Sequence, residues 1–365
     1  MKIFTINPGS TSTKIALFDD EVCLFTKNVK HESADLERFA SLPDQIPYRE
    51  QIILNLLEQE NISLKDCKIF VGRGGGLFSM EGGVYEVNDL MLDHARNNAN
   101  GVAHPANLGS LLADQFSRIG GGRAFVVNPP DVDEYQEISR VTGIKGINRA
   151  SHIHALNHKE TALRHAKSIQ KKYEECNFIV GHIGGGISIA AHKKGRMIDG
   201  NDIVAGEGPM APTRAGSVPA DQLIRLCFSG NFTEKELLEK CTKSGGFVDH
   251  LGTSDALEVF DRAENGDQHA RLLWDALIYQ IVKQIGAMAA ALHGEVDAIL
   301  LSGGMVYNKS LVENISEACT FIAPVQAYPG EFEMQAMAAG AMRVMKGTET
   351  AKVYTGVPVW TESRL

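Results

Sequence analysis

Apolar positions in this chain come in short runs broken by turn formers, and the first two runs set the pattern. Ile3-Phe4-Thr5-Ile6 and Ile15-Ala16-Leu17-Phe18 are rich in β-branched and aromatic residues and flank a Pro8-Gly9 turn. This spacing predicts a β-hairpin that opens a sheet, with a third strand over Val22 to Val29. From Glu50 to Glu60 the period changes: Ile52, Ile53, Leu56 and Leu57 fall on one helical face. Buried-type strands follow at Lys68 to Val71 and Arg123 to Val127, with a helix over Asn107 to Arg118 between them.

The second half repeats the theme. Asn177 to Val180 and Ile187 to His192 read as paired strands and Asp297 to Leu301 as a late buried strand, with helices at Ser254 to Arg262, His269 to Leu292 and Glu331 to Lys346. Alternating strands and helices predict an α/β fold with ligands at the loop ends. A strand-turn-strand opening in each half predicts an internal duplication, with domains at 1–150 and 151–365 and the last helix returning to the first domain.

Between these elements lies the candidate chemistry. The opening turn carries Asn7, the consecutive hydroxyls Ser10, Thr11, Ser12 and Thr13, and Lys14. Amide, hydroxyl and ammonium donors are what phosphate oxygens need. Glycine-rich loops at 72–76, 184–186 and 303–304 each follow an apolar strand, where missing side chains let backbone N–H groups approach an anion. Neither a P-loop nor a G-x-G-x-x-G turn after a strand is present. Arg73 stands among glycines and Arg214 among turn formers, and two planar guanidinium forks suit a carboxylate and a phosphoryl group.

His154 and His158 have the i, i+4 spacing of a helical zinc pair, but Ala155 stands where a catalytic glutamate belongs, which argues against zinc. His104, His154 and His182 read as donors beside a phosphate or as structural histidines. Glu331 and Glu333 are either reachable by magnesium through water or simply caps of the last helix.

Composition narrows the partners. A net charge of -9 with no basic patch excludes nucleic acid as the main partner. Six scattered cysteines without a C-x-x-C pair read as reduced thiols. No signal-peptide pattern and no membrane-spanning run is found, and a cytoplasmic location is expected.

These stretches together resemble the acetate and butyrate kinase family of the actin and sugar kinase superfamily, over nearly the whole chain. Asn7 to Lys14 is similar to the family's N-terminal signature, and His182-Ile183-Gly184-Gly185-Gly186-Ile187-Ser188 to its second phosphate loop. Gly206 to Gly216, Leu301 to Met305, Tyr328 to Glu331 and Tyr354 to Trp360 resemble the branch that acts on butyrate. The resemblance implies two duplicated ribonuclease H-like, actin-like ATPase domains with a nucleotide cleft between them. It further implies reversible transfer from ATP, with Mg2+, to butyrate or a related short or branched carboxylate, giving an acyl phosphate and ADP.

By the same resemblance, Lys14, Arg73, His154 and Arg214 are catalytic, with His154 the transition-state donor. Asn7, Ser10, Ser12, His182, Gly184, Gly185, Gly186, Gly303 and Gly304 bind the nucleotide. Arg73, His104, Ala205 and Pro209 line the substrate, and Asn7, Glu331 and Asn128 lie on the metal side. A homodimer or higher homo-oligomer is implied, with the apolar helix at His269 to Leu292 either its interface or a core helix.

Two departures stand out: Asn128 replaces the family's aspartate, with Asp131 as a candidate substitute, and Ala211-Pro212-Thr213 replaces a usual Ser-Pro-Glu before Arg214. Acetate or propionate kinase activity, and a nucleotide-binding sensor without phosphotransfer, remain as alternatives.

Overall fold

The computed structural model describes residues 1–204 and 206–361, in two compact units. One comprises Met1–Asp133 and the segment beginning at Phe332; the other is Glu134–Glu331. The division falls at Asp133 rather than near residue 150. The intervening residues are bonded into the second unit, where Gln136 N–H donates to the Ile198 carbonyl and the Glu134 carboxylate accepts from Met197 N–H and Lys159.

The first unit holds strands β1 (Lys2–Pro8), β2 (Ser12–Asp19), β3 (Val22–Lys30), β4 (Ile69–Gly72), β5 (Val84–Glu86) and β6 (Arg123–Val127) in the order β3-β2-β1-β4-β6-β5. The second holds β7 (Asn177–Ile183), β8 (Ile187–Lys193), β9 (Arg196–Gly200), β10 (Ala298–Gly303) and β11 (Val325–Pro329) in the order β11-β10-β7-β8-β9. Taken from the meander edge, β3-β2-β1-β4-β6 and β9-β8-β7-β10-β11 match strand for strand. Each is two antiparallel pairings followed by two parallel ones. The expected duplication is therefore real at the level of topology.

Burial explains why each sheet forms. Phe4, Ile6 and Phe70 alternate onto one face and meet Phe116 and Leu112 of the helix Leu108–Gly120, with the Phe4 and Phe116 rings edge to face at 5.7 Å. In the second unit Phe178 and Val180 pack on Ala162 and Ala166 of the helix Ala155–Ser168. Ile179 and Ile183 face Leu277 and Ile281 of the helix Gln268–Ala291, the apolar helix foreseen from sequence, whose buried face is a core face of its own unit. The helix Glu333–Met345 packs on β1, β4 and β6. It starts two residues later than the pattern predicts, because Gly330, at φ 104°, exchanges N–H···O bonds with Gly303 and holds the chain in a turn.

Glycine permits a close backbone approach at the end of a matching strand in each unit. A Cβ on Gly72, at the end of β4, would lie 2.0 Å from the Gly109 carbonyl oxygen, and one on Gly303, at the end of β10, would lie 2.3 Å from that of Ile183. Neither contact can relax through a side chain. Gly72→Ala is expected to destabilise the chain by about 3 kcal/mol or more, the upper range of overpacking, read as a lower urea midpoint at unchanged m. A midpoint within error of the parent's would show that the helix Leu108–Gly120 can move off β4.

Candidate active site

In the first unit the hairpin turn is fastened from below. Arg49, fully buried, donates from Nη1 to the carbonyls of Gly9 (3.0 Å) and Ser12 (3.2 Å) and to Thr13 Oγ1 (3.0 Å), and from Nη2 to the Ser10 carbonyl (3.2 Å). Gln45 Oε1 takes its Nε and Nη2 hydrogens. No carboxylate pairs with this guanidinium among the described residues, and burial pushes its pKa down to about 10. The turn that carries Ser10 and Ser12 thus rests on an unneutralised buried cation, which favours anions above it. Thr13 Oγ1 accepts from Arg49 and also lies 2.8 Å from His31 Nε2, in hydrogen-bond contact.

Asn7 and Lys14 are register partners across β1 and β2 and so share a sheet face. Asn7 Nδ2 donates to Glu333 Oε2 at 2.6 Å, and Arg73 Nε lies 3.5 Å from Glu333 Oε1. Glu333, in the first turn of the last helix, therefore joins the strand amide to the loop arginine. Arg73 is 8% exposed, and its Nη1 also donates to the Asn128 carbonyl at 3.3 Å.

Asn128 holds a turn together. Its Oδ1 accepts from Gly83 N–H at 2.7 Å, and its φ of 39° is one that asparagine tolerates better than most side chains. Asp131 accepts from Leu77 N–H and Asn100, and burial raises its carboxyl to about 7. His104 caps the turn Pro105–Asn107 by accepting Ala106 N–H at Nδ1, and desolvation, then the Arg73 charge, lowers its pKa.

In the second unit the loop 184–186 joins β7 to β8, and Arg214 lies across it. A Cβ on Gly186 would meet Arg214 Nη1 at 1.6 Å, so only glycine admits the guanidinium. Thr213 Oγ1 donates to the Gly185 carbonyl at 3.0 Å, which gives the unusual Ala-Pro-Thr run a local role. Arg214 Nη1 is buried without a hydrogen-bond partner among the described residues, and burial pushes the guanidinium below its usual range against the pull of Asp202.

His182 follows Phe178 and Val180 on the face of β7 that meets the helix Ala155–Ser168. Its ring stacks on that of His154, centroids 3.9 Å apart, and its Nδ1 lies 3.1 Å from Asn157 Oδ1. Ser302 also donates to that oxygen. His182 Nε2 is 3.7 Å from Glu331. Gly304 is exposed beyond Gly303, Pro209 is buried, and Ala205 lies outside the described residues.

Within the first unit the structure gathers Asn7, Lys14 and Arg73, with His104 close enough for its charge state to feel Arg73; within the second it gathers His154, His182, Gly184, Gly185, Gly186 and Arg214. One residue that matters, Arg49, was missed, and of the two acids named at the last helix the resemblance points to the wrong one. Arg49 sits where periodicity showed only the approach to a helix, and Glu333, rather than Glu331, is the acid that reaches Asn7. A cation beside a predicted apolar helical face was the one available signal for Arg49. The i, i+4 pair His154 and His158 share the Ser188 hydroxyl, each at 2.8 Å. Among the described residues, no three histidine, cysteine or acidic side chains stand together as a metal cage.

The acetokinase family matches residues 129–325. Butyrate kinase 2 of Clostridium acetobutylicum is 44% identical over 353 residues, covering 97% of this chain and 99% of that protein. The crystal structure of Porphyromonas gingivalis acetate kinase superposes with a TM-score of 0.74 at 21% identity, covering 93% and 99% of the two chains. A propionate kinase from Francisella tularensis gives 0.73 at 17%, with the same coverage. The shared fold is the duplicated actin-like one.

Arg49→Met should lower the unfolding free energy by about 3 kcal/mol, since it strands several turn carbonyls; Arg49→Lys, unable to span them, should rescue little. Denaturant melts test both, and a stable lysine variant would contradict the fork geometry. His31 carries a pH signature. Burial, then the Arg49 charge, hold it at about 4 against 6.5. The unfolded chain takes up the proton below 6.5 while the folded chain resists until about 4. Stability complete above pH 7 is therefore lost across that window, by about 3 kcal/mol. His31→Gln should flatten the profile between pH 7 and 4.5, and superimposable profiles would remove His31 from the account.

Proposed function

The chain belongs to the acetokinase family and is a carboxylate kinase, a phosphotransferase whose acceptor is a carboxyl group, and we propose that it converts butyrate or a related short or branched acid, with ATP, to the acyl phosphate and ADP. The observation that carries this is Arg214, a buried guanidinium laid across a glycine loop with its Nη1 unpartnered among the described residues. A buried donor left unmade is costly, and a phosphoryl oxygen satisfies it. The similarity to butyrate kinase 2 over nearly all of both chains supports butyrate over acetate or propionate.

The acid is ionised at neutral pH, its pKa near about 4 to 5, so it is already nucleophilic and requires no general base. What remains is to hold two anions in line and spread donors around the transferring group. In the first unit Arg73, steadied by Glu333 and the Asn128 carbonyl, receives the carboxylate, with His104 beside it. Lys14, Asn7, Ser10 and Ser12 serve the phosphates. In the second unit Arg214 and His154 serve the transferring phosphoryl, while Gly184, Gly185, Gly186, Gly303 and Gly304 leave backbone open to the nucleotide.

The donors fit a magnesium ion held largely by phosphate and water, with Asn7 and Glu333 as protein oxygens in place of a cage. Magnesium would neutralise phosphate charge. Asn128, whose side-chain oxygen is spent on Gly83, is not among those ligands in this reading. Among the described residues no helix is long and apolar enough to cross a membrane; the resemblance supports a cytoplasmic homo-oligomer.

Acyl hydroxamate formation with ATP and magnesium tests the assignment. Butyrate, isobutyrate and valerate should exceed acetate, and Arg214→Ala should cut kcat by about a hundredfold or more. Acetate alone as substrate would move the chain to the acetate branch, and no product with any acid would overturn the reading.

A further inference from the structure

Behind His154 the second unit contains an unbroken line of hydrogen bonds that ends deep in its core. His154 Nδ1 is 2.8 Å from Ser188 Oγ, and the same hydroxyl is 2.8 Å from His158 Nε2. His158 Nδ1 is 3.3 Å from His192 Nε2, and His192 Nδ1 is 2.6 Å from the Tyr173 hydroxyl. Ser188, His158 and His192 are fully buried and Tyr173 nearly so. Sequence places them well apart. Ser188 and His192 share a face of β8, His158 comes one helical turn after His154, and Tyr173 opens the short turn before β7.

A Ser188 hydroxyl accepting from both rings would leave its own hydrogen with no acceptor among the described residues, so the line is polarised in one of two directions. Burial, then the charge of His182, hold His158 at about 3, and burial holds His192 well below its usual value, so each ring is neutral and carries one hydrogen. If Tyr173 donates to His192 Nδ1, then His192 Nε2–H donates to His158 Nδ1, His158 Nε2–H donates to Ser188, and Ser188 donates to His154 Nδ1. A neutral His154 then carries its hydrogen on Nε2.

In the reverse polarity every donor turns around, and the Tyr173 hydrogen has no acceptor: His192 is its only hydrogen-bond partner among the described residues. Burial also holds Tyr173 far above its ordinary value, so that hydrogen cannot simply leave. A buried hydroxyl hydrogen without an acceptor is disfavoured by roughly tenfold or more.

We propose that Tyr173, four hydrogen bonds from His154, is a positioning residue that sets the tautomer of His154, keeping Nδ1 an acceptor and Nε2–H a donor for the phosphoryl oxygen. Ser188, His158 and His192 transmit that choice. The proposal rests on the assignment of His154 to the transferring group, but the tautomer can be measured without turnover. The wire also accounts for two buried histidines and a buried tyrosine that the reaction itself does not touch, and for the i, i+4 spacing of His154 and His158.

The test is the long-range proton–nitrogen spectrum of the full chain labelled with 15N-histidine, with His154 assigned from the missing signal of His154→Gln. The parent should show His154 as the Nε2–H form. Tyr173→Phe should give a mixture or the Nδ1–H form, with kcat down roughly tenfold and the carboxylate KM changed much less, a split that uniform loosening would not produce. Ser188→Ala should disturb the same tautomer, and the double variant should add little to the larger single effect. If Tyr173→Phe does not fold, His192→Gln cuts the line one link further in and is read the same way. An unaltered His154 tautomer in a folded variant overturns the wire. A changed tautomer with unchanged kcat sustains the wire and overturns only the role of His154 in transfer.

Discussion

Backbone must touch backbone at the ends of the central strands, and the loops that carry the chemistry depend on that contact. Gly72 at the end of β4 and Gly303 at the end of β10 occupy matching strands of the two sheets, and a side chain at either would strike a carbonyl at 2.0 or 2.3 Å. The neighbouring chain segments are thereby drawn in. In the first unit the helix Leu108–Gly120 starts against the loop that holds Arg73; in the second, β10 and the Gly330 turn close on the end of β7, from which His182 projects. Glycine here is selected by distance as much as by dihedral freedom.

The two units place their cations differently. In the first, Arg49 is buried under the hairpin turn and spends its hydrogens on carbonyls, a hydroxyl and an amide, so the turn is rigid and electropositive, while Arg73 is partly balanced by Glu333. In the second, Arg214 is held by shape over Gly186 and leaves Nη1 unmatched. A protein of net charge -9 can in this way present local positive potential to anions without a basic surface. Neutral donors complement it in the first unit: His31 beside Arg49 and His104 beside Arg73 are lowered by burial and then by those charges, so they hydrogen-bond without adding charge.

The departures from the family pattern acquire physical meanings in this setting. Asn128 accepts from a backbone N–H and adopts a left-handed φ, both of which suit an amide, and Thr213 ties the Arg214 segment to the glycine loop. Neither residue is idle where its usual counterpart is missing.

Local periodicity and turn chemistry were enough to read the hairpin, most of the buried strands, the crossover helices near 50–60, 107–118 and 269–292 and the duplicated plan, because strand alternation, helical facing and glycine turns are short-range properties; the helices Ala155–Ser168 and Lys309–Cys319 and the strand Val325–Pro329 were not read. The opening turn, the glycine loops and both arginines were legible for the same reason: each is a contiguous run whose residue types state a chemistry. Tertiary structure alone decided what those runs meet. Glu333 reaches Asn7 across 326 positions, Arg49 reaches the Gly9 carbonyl across 40, and Tyr173 reaches β8 through His192. Such pairings are settled by the packing of helices on sheets and by the need to satisfy every buried donor. That constraint acts on the folded whole and leaves no periodic trace along the chain.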